Sequence, residues 1–75
     1  MDVENLTRMA NRIGDFFEAY PDRDEALRNI ADHIKRFWEP RMRRELFAEL
    51  DRDGVPGLKP LVLEALQQHR SSLQV

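Results

Sequence analysis

The chain has 75 residues, room for one domain, and is 41% apolar and 35% charged, with three glycines and four prolines. That balance is too apolar for a disordered tail and too charged for a membrane protein. Its longest apolar runs, Leu46 to Ala48 and Leu61 to Leu63, give neither a transmembrane span nor a signal-peptide core. The absence of cysteine excludes a disulfide framework, thiolate zinc sites and Cys-held iron–sulfur clusters. Twelve basic against fourteen acidic residues give no global pull toward nucleic acid. A Cys-free chain that starts at Met1 without an export signal is expected in the cytoplasm. A domain this short buries only about 60% of the surface its unfolded chain exposes, so a partner chain is the expected source of extra stability.

Four amphipathic segments are separated by proline or glycine signals. In the first, Leu6, Met9, Ala10, Ile13, Phe16, Phe17 and Tyr20 fall within an arc of about 120°, a face made for burial. Asp2 and Glu4 sit at its amino end, where the helix dipole favours anions, and Pro21 stops the run. The second segment starts near Asp22 or Asp24 and runs to about Trp38, with Ala26, Leu27, Ile30, Ala31, Ile34, Phe37 and Trp38 as its face. Lys35 and Arg36 suit its carboxyl end, and Pro40 predicts a break at Glu39. The two faces match at an offset of 21 residues, Leu6 with Leu27 through Phe17 with Trp38, as expected for two helices of an antiparallel hairpin. Pro40 opens a third helix through Met42, Leu46, Phe47 and Leu50, ending in Asp51-Arg52-Asp53-Gly54. After a turn through Pro56 and Gly57, Pro60 opens a short fourth helix with Leu58, Leu61, Val62, Ala65 and Leu66 on one face. The expected fold is therefore an all-α single domain of about four helices, with a core over residues 5–69 and a frayed tail at 70–75.

Catalytic constellations are missing. There is no Cys nucleophile and no Gly-rich phosphate loop, and the serines are confined to Ser71 and Ser72. His33 and His69 lie on different segments without the i, i+4 pairing of a helical metal site, and His33 reads as a surface or contact residue. Asp22, Asp24 and Glu25 make sense as a helix start. Asp51-Arg52-Asp53-Gly54 resembles the opening of an EF-hand loop but lacks the third ligand spacing and the closing Glu. An enzyme acting through this chain's own residues is not expected.

Charge is distributed unevenly. Lys35 to Arg44 carries five basic residues against one acid, whereas Asp15 to Asp32 carries six acids against two arginines. A bipolar layout on a nearly neutral protein suggests oriented docking or self-association. Arg41, Arg43 and Arg44 crowd the amino end of the third helix, where each exposed cation is unfavourable by about 0.3–1 kcal/mol. Arg41 can recover some of this through Glu45 at i+4. Arg43 falls inside the apolar arc of Met42, Leu46, Phe47 and Leu50, so its guanidinium either pairs with an acid within the chain or reaches another surface. Arg36, Trp38, Arg41, Met42, Arg43 and Arg44 together are the candidate partner contacts, since Trp, Met and Arg are favoured interface anchors. Nucleic acid is the weaker alternative, because the patch is short, the chain is net acidic and Phe37 and Trp38 fit a buried face.

The ordered set Arg8-Met9-Ala10-Asn11, Phe16-Phe17, His33-Ile34-Lys35-Arg36-Phe37-Trp38-Glu39-Pro40-Arg41-Met42-Arg43 and Gly57-Leu58-Lys59-Pro60-Leu61-Val62 resembles the delta subunit of NAD-dependent, molybdenum-containing formate dehydrogenase, over about residues 5 to 66. The family pattern is glycine-rich before Gly-Leu, where this chain has Arg52-Asp53-Gly54-Val55-Pro56. The resemblance implies a non-catalytic accessory subunit of a cytoplasmic complex that oxidises formate to carbon dioxide and passes electrons to NAD⁺. It implies that the molybdopterin guanine dinucleotide, iron–sulfur clusters, FMN and NAD belong to other subunits. The large catalytic subunit is then the expected partner, with the flavin and iron–sulfur subunits as further candidates, and assembly, stability or cofactor loading the expected task. A free-standing helical module that self-associates or binds nucleic acid is the rival expectation.

Overall fold

The computed structural model describes residues 2–74. The four expected helices form, as α1 (Val3–Phe17), α2 (Arg23–Phe37), α3 (Pro40–Arg52) and α4 (Pro60–Gln68), and a short α5 (Arg70–Leu73) follows. Their boundaries come from local chemistry. Asp2 and Asp22 cap α1 and α2, each accepting from backbone N–H groups two or three residues on. Pro40 and Pro60 occupy the first position of α3 and α4, where a missing N–H costs nothing. At the end of α3 the Asp53 and Gly54 amides both donate to the Glu49 carbonyl, and Gly54 adopts φ 79°, a conformation that glycine reaches without steric penalty.

α2 lies at the centre, packed against α1, α4 and α5, while α3 packs on α1. One core unites Leu6 and Ala10 of α1, Leu27, Ile30, Ala31 and Ile34 of α2, Leu46 and Phe47 of α3, and Val62, Ala65 and Leu66 of α4. The predicted face of α2 is the one buried, except at Phe37. On α1 the buried residues are Leu6, Thr7, Ala10 and Gly14. Their arc is centred about 70° round the helix from that of the predicted apolar face. Small residues let a neighbour approach closely: a Cβ built on Gly14 would stand 2.6 Å from Val62 Cγ2.

The tail departs from expectation. Residues 70–73 make a helical turn instead of fraying, and Leu73 is fully buried in the core. Lys35 Nζ donates to the Ser72 carbonyl at 2.5 Å, tying α5 to α2. Arg70 donates to Asp51 at 2.5 Å and lies 4.9 Å from the centroid of the Phe47 ring, tying α5 to α3. The hydrogen bond from Arg70 holds the Asp51 carboxyl below its ordinary range. Val75, the last residue of the expected frayed segment, lies outside the described residues.

Candidate functional site

The basic segment straddles the break between α2 and α3. α2 stops at Phe37 because Trp38 and Glu39 adopt extended backbone before Pro40. The six candidate contacts then divide by burial. Trp38 and Arg43 are 6% exposed, inside the chain's own core region, and Met42 is half-buried against that core. Arg36, Arg41 and Arg44 are exposed. Trp38 and Arg43 therefore present no free side chain to a partner; they build the joint that holds the exposed arginines in place.

Arg43 reaches back from α3 to the end of α2. Its Nη1 donates to the carbonyl of Lys35 at 2.9 Å. That carbonyl lies in the last turn of α2, where no following helical N–H can reach it. A cation there also meets the negative end of the helix dipole. One side chain thus caps α2 from α3.

The exposed arginines are in a different state. Arg36 reaches Asp32 at 3.5 Å with both side chains solvated, a contact worth at most about 1 kcal/mol. No hydrogen bond or ion pair among the described residues involves Arg41 or Arg44, so the expected Arg41–Glu45 pairing does not form. The acidic stretch, by contrast, is partly answered from within. Lys59 Nζ lies 2.7 Å from Asp15 and 3.1 Å from Glu18, and these carboxylates, Asp15 foremost, push the Lys59 ammonium above its ordinary range. Asp22 is engaged in capping. The unanswered charge at the α2–α3 break is positive.

Two of the quoted sequence stretches meet directly. Asn11 Nδ2 donates to the Gly57 carbonyl at 2.8 Å, and the Lys59 amide donates to Asn11 Oδ1 at 2.9 Å. This clasp fixes the turn before α4, whose N-cap Lys59 has no capping side chain of its own. Asn11→Ala is expected to cost about 1–2 kcal/mol and to speed exchange of the Lys59 amide. Asn11→Asp keeps the acceptor but sets a carboxylate oxygen against the Gly57 carbonyl in place of a donor, so protection should fall between wild type and Asn11→Ala; equal exchange in all three proteins would refute the clasp.

A model of the NADH-dependent formate dehydrogenase delta subunit FdsD matches residues 5–66. The chain belongs to this family. Comparison with curated proteins and with solved structures gives no match. The chain has no cysteine with which to hold an iron–sulfur cluster. Among the described residues no group of three or more His, Asp or Glu side chains could hold a metal ion. No helix among them is long and apolar enough to cross a membrane. His33 packs between rings instead, 6.5 Å from Phe17 and 4.7 Å from Phe37, centroid to centroid.

Two exposed residues escaped the sequence reading, which assigned both to buried faces: Phe16 and Phe37, 70% and 68% exposed. Phe16 stood at the edge of the apolar arc of α1, on the side away from Ala10 and Gly14. The signal available was that small-residue stripe, which marks the side of closest packing. Phe37 is the last residue of α2, past which the chain turns away.

Proposed function

We propose that this delta subunit is a non-catalytic accessory chain that docks on the large catalytic subunit of a cytoplasmic NADH-dependent formate dehydrogenase. Its task there is to support assembly, stability or loading of the molybdenum cofactor. The molybdopterin guanine dinucleotide, iron–sulfur clusters, FMN and NAD are then the business of the other subunits. The observation that carries the reading is the exposed, unpaired Arg41 and Arg44 at the α2–α3 break, on a chain whose acids are partly engaged internally. Arginines left without partners at the positive end of a helix are unfavourable in the isolated chain, and an acidic surface on a partner relieves that.

Arg41→Glu/Arg44→Glu is expected to weaken co-purification with the catalytic subunit about tenfold or more while preserving helicity and leaving Tm equal to or above that of wild type. Loss of helicity in the isolated variant would make these arginines structural and overturn the assignment. Co-purification undiminished by the double reversal would overturn it as well.

A further inference from the structure

Among the described residues the large apolar side chains left exposed are Phe16 and Phe37. Phe16 and Phe37 are joined through a run of ring contacts: Phe16 to Phe17 at 5.0 Å, Phe17 to His33 at 6.5 Å and His33 to Phe37 at 4.7 Å. Beside Phe16 opens a groove of about 380 Å³ lined by Arg12, Ile13, Phe16, Phe17 and His33, with Phe37 next to it against the His33 ring. Leaving a phenyl ring in water instead of burying it forgoes about 1.5–3 kcal/mol, and here two rings are left on one surface.

The rim of the groove is cationic. Arg12 is exposed and has no hydrogen bond or ion pair among the described residues. The Arg36 guanidinium lies 5.9 Å from the Phe37 ring centroid, its one acidic contact among the described residues being the solvated Asp32. An occupant of this surface needs an apolar anchor for the groove and carboxylates for the two arginines. A second copy of the chain answers poorly: a two-fold pairing would bring Arg12 and Arg36 of each protomer together, with Asp32 already engaged by Arg36.

We infer that the groove beside Phe16 receives a segment of the large catalytic subunit, one that inserts an aliphatic or methionine side chain against the Phe16 and Phe17 rings, covers Phe37 alongside and flanks both with Asp or Glu. The inference rests on the subunit reading above and gives that docking its hydrophobic centre, with Arg36 shared between the groove and the α2–α3 break. Aromatic anchors ringed by charge are the usual source of interface affinity.

The test uses the formate dehydrogenase complex purified without this chain and measures its affinity for the full-length chain. Phe16→Ser/Phe37→Ser should weaken binding roughly thirtyfold or more, with circular dichroism unchanged because both rings are solvated. Arg12→Glu/Arg36→Glu should slow association about tenfold at low salt. Should the double Phe variant lose helicity, Phe16→Gln alone repeats the measurement. Wild-type affinity in the Phe variants, in a complex still sensitive to Arg41→Glu/Arg44→Glu, overturns the groove and leaves the subunit reading standing. Failure of the wild-type chain to bind overturns both. A concentration-dependent dimer abolished by the Phe variants, with binding to the complex intact, gives the groove to a second copy and overturns the inference.

Discussion

Gly14→Val is expected to destabilise the fold by about 3 kcal/mol, a large share of the roughly 4–11 kcal/mol available to a domain of this length. The cause is local. A Cβ at residue 14 would lie 2.6 Å from Val62 Cγ2 and 3.4 Å from Lys59 Cδ. Lys59 is long enough to yield, but Val62 is fully buried and its branched side chain has one strongly preferred helical rotamer. Relief therefore requires α1 and α4 to separate, which would loosen the core around Ala10 and Ala65. Gly14→Ala meets the same contact but gains about 1 kcal/mol in helix propensity, so its net cost should be smaller, about 1 kcal/mol. Combining it with Val62→Ala should reveal a coupling of about 1–2 kcal/mol in the sense of relief. Urea denaturation decides the matter: a Gly14→Ala protein more stable than wild type would mean that the helices part without penalty.

Arg43→Met should cost about 2–3 kcal/mol, although it places a better-matched apolar side chain in a buried position. Methionine fills the space but leaves the Lys35 carbonyl without the donor that reaches it across the break. A part-buried acceptor at the negative end of a helix is a poor group to abandon. The accompanying sign is faster amide exchange in the last turn of α2, around Trp38, with the amino half of that helix unchanged. Arg43→Lys should recover part of the loss, since an ammonium can still donate but lacks the planar fork. Stability of Arg43→Met within about 0.5 kcal/mol of wild type would show that water or a neighbouring group satisfies the carbonyl.

What the sequence made legible was chiefly what single residues decide. Pro40 and Pro60 constrain the backbone wherever they occur, and the α2–α3 break and the starts of α3 and α4 lie where they were expected, whereas α1 ends at Phe17, short of the Tyr20 that was expected to close it before Pro21. Ala26, Leu27, Ile30, Ala31 and Ile34 of α2 were assigned to the core because a helix surrounded by others buries its apolar face directly. α1 was harder. Its most apolar side and its most closely packed side differ, since Thr7 and Gly14 carry little hydrophobicity yet face the core by virtue of being small. The same rotation that buries Gly14 turns Phe16 outward. Leu73 was assigned to a frayed tail because a four-residue helix has no period to detect. Arg43 was visible as an anomaly, but a backbone carbonyl bears no mark in the sequence, so its acceptor on α2 could not be named. The arginines assigned to a partner separate by depth, and depth depends on how α3 meets α2, which no local pattern encodes.

The joint between α2 and α3 also supplies an optical probe. Trp38 is the one tryptophan of the chain, and it is buried beside the position where Arg43 caps α2. Its indole emission is therefore that of a sheltered fluorophore in the native state and shifts to the red when the joint opens and water arrives. Because the ring is enclosed by the chain's own side chains, a ligand settling on the outer surface has little direct access to it. Denaturation can thus be followed by intrinsic fluorescence without a label, in the isolated chain or in any tryptophan-free mixture, and the signal reports the integrity of that one corner.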